Sequence, residues 1–290
     1  MRIGALEAGG TKMVCAIGDE NGVIFDTMTI PTKMPEETIP PMVEYFKNNN
    51  IEALGIASFG PVDLDKNSET YGFITTTPKP GWGMYDMVGA FKELNVPIGF
   101  DTDVNGSALG EQTYGAGKGL SSLVYITIGT GVGAGIISEG KLLHGMLHPE
   151  AGHILLKRHP EDMNFKSFCP FHDDCLEGLA AGPAIEKRFN MSAKDLPIDH
   201  KAWDIEAYYI AQALVNMTLV ISPKRFILGG GVMHQLQVFP LIRKHYKEML
   251  NGYIKTKEID DLDSFIVPQS LDDKQGILGA LKLGLIAKEH

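Results

Sequence analysis

Glu7, Gly9, Gly10, Thr11 and Lys12 fall within one short stretch, Leu6 to Lys12, between two apolar runs. Adjacent glycines let a turn approach a ligand closely, and its N–H groups can point at phosphate oxygens. Glu7, at the end of the first run, offers the single carboxylate that suits a hydrated Mg²⁺ bridging such phosphates. A second turn, Gly129-Thr130-Gly131-Val132-Gly133, repeats the pattern. A third cluster, Gly229, Gly230 and Gly231, follows an apolar run and precedes helical sequence, where a nucleotide's base and ribose can lie against bare backbone. No Walker loop is present, and the loose GxGxxG match at 129–135 lacks the strand-then-helix context of a nicotinamide site.

Asp101-Thr102-Asp103 stands between a short apolar run and a helical stretch, so Asp103 is expected at a helix N-cap or first turn. A carboxylate there, opposite phosphate-binding turns, could take the proton of a hydroxyl attacking phosphorus. Asp103 is the expected base in preference to Asp101. His153 with Cys169, His172 and Cys175 makes a two-thiolate, two-imidazole set that suits closed, structural, tetrahedral Zn²⁺, with His144, His148 and His159 as rival fourth ligands. Glu150 and Glu177 flank that loop. Carboxylates fixed there suit paired sugar hydroxyls, although solvated surface acids are the commoner reading. Trp82, in Thr77-Pro78-Lys79-Pro80-Gly81-Trp82, reads as core.

The elements that must position these residues follow from periodicity. Arg2–Leu6, Met13–Ile17 and Val23–Thr29 read as a three-strand meander, 36–47 as a helix and 53–58 as a buried strand. Helices are expected over 85–94 and 104–114, with a short strand at 98–101 between them. The second half echoes the first: strands at 124–128, 132–137 and 141–143, then helices at 176–188, 204–220 and 236–250, a strand at 225–228 and a closing helix at 276–288. Gly10-Thr11 and Gly129-Thr130 occupy equivalent places in the two meanders. Such an echo implies two similarly built halves with their glycine turns across a shared cleft. The expected division is a smaller α/β domain over 1–115, joined by the closing helix 276–290, and a larger α/β domain over 116–275 carrying the cysteine loop.

With 44% apolar and 21% charged residues over 290 positions, the chain has material for two buried cores. A net charge of −10 without a basic cluster excludes a nucleic-acid partner. The apolar stretch 123–137 is too short and too glycine-rich to span a membrane, and Glu7 with two glycines interrupts any secretory core. Three cysteines, an odd count, fit a reducing compartment, and a cytoplasmic protein is expected.

Taken together, the Glu7–Lys12 stretch, the Gly129–Gly133 turn, and Glu150-Ala-Gly-His153 followed by the loop ending Cys175-Leu-Glu177-Gly178 resemble the ROK family of bacterial sugar kinases, nearest its fructokinase branch. The resemblance runs from Arg2 to about Leu285. It implies a two-domain α/β, actin-like ATPase (ribonuclease H-like) fold with ATP and Mg²⁺ in an interdomain cleft, and a homodimer. Glu7 to Lys12 and Gly129, Thr130, Gly131 and Gly133 would be the phosphate turns, and Gly229 to Gly231 would lie near adenosine. Asp103 falls on the family's base; Thr102, Glu150, His153 and Glu177 fall on sugar-contacting positions; His153, Cys169, His172 and Cys175 fall on zinc ligands. The implied reaction is phosphorylation of D-fructose at its 6-hydroxyl, with mannose or glucose as weaker substrates, or sugar sensing without turnover as the competing reading. Three departures from the wider family stand out: Glu7 for Asp, Thr102 for Asn, and CxxHxxC for CxCGxxGC. The shorter Thr102 weighs against glucose. A repressor's N-terminal helix-turn-helix has no room before Arg2.

Overall fold

The computed structural model describes residues 1–289. In chain order its first elements are β1 (Ile3–Ala8), β2 (Lys12–Gly18), β3 (Ile24–Pro31), α1 (Pro35–Asn48), β4 (Ala53–Ser58), the short pair β5 (Phe73–Ile74) and β6 (Tyr85–Asp86), β7 (Ile98–Thr102) and α2 (Asp103–Tyr114). There follow β8 (Leu123–Ile128), β9 (Val132–Ser138), β10 (Lys141–Leu142), α3 (Leu176–Ala180), α4 (Gly182–Phe189), α5 (Ala202–Ile221), β11 (Phe226–Gly229), α6 (Val238–Leu250), α7 (Lys257–Asp260), α8 (Leu262–Phe265), β12 (Ile266–Pro268) and α9 (Gln275–Glu289).

The chain forms two compact units. One holds residues up to Gly119, the segment Leu142–His148 and the stretch from Lys274; the other holds Leu120–Lys141 and Pro149–Asp273. The segment 142–148 therefore groups with residues far from it in sequence. His144 Nε2 lies 2.9 Å from the Asp101 carboxylate and His148 Nε2 accepts the Val62 N–H at 3.2 Å, which is what holds it there.

Each unit is built on a five-stranded sheet, in the orders β3-β2-β1-β4-β7 and β10-β9-β8-β11-β12. In both, the first strand of the meander pairs antiparallel with the second and parallel with a later strand. β4 is buried along its whole length, as a central parallel strand covered on both faces must be. On one face lie α2 and α9, which also contact each other. The other side of the unit is an apolar cluster that includes Leu6, Met13, Ile56, Met42, Phe46 and Phe91, with Trp82 fully buried in it, as core. In the second unit α5 supplies much of the core, including Trp203, Tyr209, Ile210 and Leu214, packed with Phe226, Leu228, Ile242 and Tyr246.

Three helix expectations need correction. Residues 85–94 form β6 and a 3-10 turn over Gly89–Leu94, because the Asp86 carboxylate accepts the Gly89 N–H at 2.6 Å and closes a local turn in place of a helical one. The helix expected over 176–188 is broken at Ala181, whose ψ of 154° leaves the helix. Pro183 then sits in the first turn of α4, where its missing N–H costs nothing. The helix expected from Leu236 begins at Val238, after a separate 3-10 turn over Gly231–His234.

Candidate functional site

In the first unit the three parallel strands end in register: Ala8 faces Ser58, and Ser58 faces Thr102. One residue earlier, Glu7, Ala57 and Asp101 form a row, so their side chains share a face of the sheet. The glycine turn after β1 and the start of α2 after β7 thus stand at the same carboxyl edge, where ligands of open parallel sheets gather. Glu7 packs against α9: a Cβ at Gly276 would lie 2.5 Å from its carboxylate. The turn is closed by the Gly9 N–H to Lys12 O bond of 3.0 Å, and Thr32 holds two of its carbonyls, Gly9 O at 2.7 Å and Thr11 O at 2.9 Å. Gly10 is exposed, and a side chain there would meet no protein atom within 4 Å, so the fold itself does not require glycine at this point.

Thr102 is the N-cap of α2, its Oγ1 accepting the Asn105 N–H at 3.1 Å, and Asp103 is the first helical residue. Its Oδ1 accepts the Val104 N–H at 2.8 Å. Asp101 is 3% exposed and belongs to a network: its carboxylate accepts the Thr102 N–H at 2.8 Å and the Asn105 side-chain amide at 2.7 Å, and pairs with His144. That hydrogen bond to Asp101 raises the His144 pKa, against the opposing effect of burial. Asp101 thus builds the corner from which Asp103 projects. His144 and His148, rival zinc ligands by sequence, are both engaged within this unit. His159 instead accepts the Glu161 N–H at 3.2 Å and packs edge-on to Tyr208.

In the second unit Gly129 follows β8 and Gly229 ends β11, two adjacent parallel strands. The second turn and the third glycine cluster therefore meet, with a Cβ at Gly129 only 3.9 Å from the Gly231 amide. Gly230 has φ of +87°, a conformation that calls for glycine, whereas a side chain at Gly231 would meet nothing within 4 Å. As at Gly10, the open position faces away from the protein. Glu177, in the first turn of α3, accepts the Val132 N–H at 3.0 Å and lies where a Cβ at Gly131 would stand, so it braces the second turn, while Gly133 pairs with Thr127 in the β8–β9 ladder. Glu150 precedes a 3-10 turn over Ala151–His153 and accepts the His153 N–H at its carbonyl, 3.0 Å away.

The sulfurs and ring nitrogens of His153, Cys169, His172 and Cys175 lie within 4.8 Å of one another. Cys169 Sγ is 3.9 Å from His153 Nδ1 and 3.8 Å from His172 Nδ1. Zinc bonds of about 2.3 Å to sulfur and about 2.1 Å to nitrogen span a tetrahedral edge of roughly 3.6 Å, so the donors fit that ion. Burial pushes the Cys175 thiol up to about 11, with Gly178 N–H opposing, so the metal-free site holds a proton that a bound cation would displace. The loop also has support the sequence did not reveal. Arg158 donates to Asp174 at 2.6 Å and to the Asp173 carbonyl at 2.9 Å, and Leu155 bridges to Cys175.

A family model for the ROK family matches residues 3–286. The fructokinase of Pediococcus pentosaceus is 49% identical over 100% of this chain and 100% of that protein. The fructokinase of Streptococcus mutans is 44% identical, over 97% of this chain and 96% of that protein. Among solved structures, a ROK family glucokinase from Streptomyces griseus, in complex with glucose and AMPPNP, is similar at a TM-score of 0.77 and 25% identity, over 99% of this chain and 100% of that one.

Proposed function

Because this chain belongs to the ROK family, and has the two-domain actin-like ATPase fold of its sugar kinases, we propose that it is a fructokinase. It moves the γ-phosphoryl group of ATP to the 6-hydroxyl of D-fructose, giving fructose 6-phosphate and ADP. Its full-length likeness to named fructokinases supports the sugar. The observation that carries the reaction class is the shared sheet edge: Asp103 opens α2 at the strand ends where the first glycine turn also stands.

Asp103 accepts the hydroxyl proton as the sugar oxygen attacks the γ-phosphorus and the bond to ADP breaks. Its carboxylate starts a helix whose N-cap and buried neighbour are hydrogen-bonded, so little reorganisation accompanies proton transfer. The turns Glu7 to Lys12 and Gly129 to Gly133 offer amides to the phosphates, and Gly229 to Gly231 offer bare backbone to adenosine. Mg²⁺, for which Glu7 provides the hard oxygen donor, supplies charge neutralisation to ATP when bound. Thr102, Glu150, His153 and Glu177 serve the sugar; His153 uses Nδ1 toward the cysteines, which leaves Nε2 for a hydroxyl. His153, Cys169, His172 and Cys175 would hold a structural Zn²⁺, which would keep this loop in shape. An ATP-consuming enzyme of this kind belongs in the cytoplasm.

ADP release from ATP, Mg²⁺ and fructose tests the assignment. Wild type turns over, and Asp103→Asn loses roughly 10²-fold or more in kcat while sugar binding survives. Near-normal turnover in the folded variant rules Asp103 out as base.

A further inference from the structure

Lys79 stands between Pro78 and Pro80, in the Thr77–Trp82 segment, and has no role in the site described above. The structure anchors that segment at both ends. Thr75 donates its N–H and its hydroxyl to the Pro61 carbonyl, at 2.8 and 3.0 Å. Trp82 is fully buried, lies edge-on to Phe59 and Tyr85, and donates its indole N–H to the Lys33 carbonyl at 2.7 Å. Between these anchors Lys79 is fixed locally: its N–H donates to Thr77 Oγ1 at 3.3 Å, and its carbonyl accepts from Trp82 N–H at 3.2 Å. Flanking prolines restrict the backbone further. The result is a stiff arm whose ammonium donates to the carbonyl of Gly10, at the tip of the first glycine turn.

This contact completes a pattern. The carbonyls of Gly9 and Thr11 are taken by Thr32, and that of Gly10 by Lys79. Among the described residues, the amides of Gly10 and Thr11 have no protein acceptor. An anion arriving at the turn therefore meets two amides and an ammonium, while the repelling carbonyl oxygens are already paired. A carbonyl oxygen is a weaker partner for an ammonium than a phosphate oxygen, because only the latter carries net charge.

We propose that Lys79 is a substrate-contacting residue that binds the γ-phosphoryl group of ATP, and that its bond to Gly10 is the resting position it leaves when the triphosphate arrives. The assignment rests on reading the Glu7–Lys12 turn as a phosphate turn. Lys79 stays protonated throughout: the sugar oxygen–phosphorus bond forms, the bond to ADP breaks, and the hydroxyl proton goes to Asp103. The ammonium balances charge on the transferring group, and its reach makes the triphosphate, rather than the diphosphate, the preferred nucleotide.

The test compares wild type, Lys79→Met, Lys79→Gln and Lys79→Arg in two measurements: steady-state kinetics with ATP, Mg²⁺ and fructose, and the melting shift produced by AMPPNP or by ADP. Unliganded melting checks that each variant folds, and Gln provides a polar replacement should Met disturb the arm. The expected result is a loss of roughly 10²-fold in kcat/KM for ATP in Met and Gln, with KM for fructose within about twofold of wild type and partial recovery in Arg. The AMPPNP melting shift falls to that of ADP in the Met variant, while the ADP shift is unchanged. A Met variant that matches wild type in kinetics and in its AMPPNP shift overturns the role of Lys79 alone. A wild type with neither ATP-dependent turnover nor an AMPPNP shift overturns the kinase reading and this assignment with it.

Discussion

Thr102 carries two duties in one hydroxyl. As acceptor it caps α2 for the Asn105 N–H, and as donor it is the group proposed to meet the sugar beside Asp103. Asparagine caps helices as well as threonine does, so Thr102→Asn should keep the cap, but Thr102 is only 3% exposed and the larger side chain should lower the melting temperature somewhat. Its added amide donors change the polar groups offered beside Asp103. A hydroxyl left unpaired costs about 1–3 kcal/mol, so the ratio of kcat/KM values should shift from fructose toward aldohexoses by roughly tenfold, equivalent to about 1.4 kcal/mol. Parallel assays with fructose, glucose and mannose check this. An unchanged ratio removes Thr102 from the specificity determinants, and faster turnover of glucose than fructose by wild type overturns the choice of sugar.

At the scale of elements, the crossing of α2 and α9 is set by glycines. A Cβ at Gly279 would lie 1.7 Å from the Gly106 carbonyl oxygen, and one at Gly110 would lie 2.2 Å from that of Gln275. Backbone cannot yield as a side-chain tip can, so Gly279→Ala should force the helices apart and destabilise by about 1–3 kcal/mol or more, read from denaturant unfolding. Because α9 also packs on β1 and β4, a loss of activity in step with stability is expected. The cysteine loop has two kinds of support. Arg158 ties its far side through Asp173 and Asp174, while the proposed zinc would join His153 to the segment 169–175. Purified protein should carry one Zn²⁺ per chain by elemental analysis. Cys169→Ser should lower the melting temperature by at least about 3 °C, the shift that ~1 kcal/mol makes in a domain of this size. Metal-free protein that melts and turns over as the loaded protein does refutes a structural zinc.

Across the whole molecule, two sheets of equivalent strand order arise from two stretches that share their Gly-Thr turns and apolar runs. No described helix is long and apolar enough to cross a membrane. Stability against pH bears the mark of the His144–Asp101 pair, which holds 142–148 to β7. Asp101 raises the His144 pKa, so the pair stabilises fully below the unfolded histidine value of about 6.5, and that contribution is lost as pH rises through the higher folded value. With His144 40% exposed, solvent screening keeps it below about 1 kcal/mol. Melting from pH 6 upward should therefore fall slightly more steeply in wild type than in His144→Gln; parallel slopes contradict the pairing. Sequence alone determined what depends on neighbours along the chain: the two meanders, the glycine turns between strands, the CxxHxxC spacing, and Asp103 at a helix start. Periodicity and backbone chemistry act over a few residues, so these were legible without a fold. Only the tertiary structure decided what depends on residues far apart in sequence. Asp101, Asn105 and His144 share one network, His148 meets Val62, Lys79 reaches the Gly10 carbonyl, and Gly129 lies beside Gly231. No local pattern encodes such pairs, because each partner obeys its own strand, helix or loop and the contact exists only once the sheets and helices have packed.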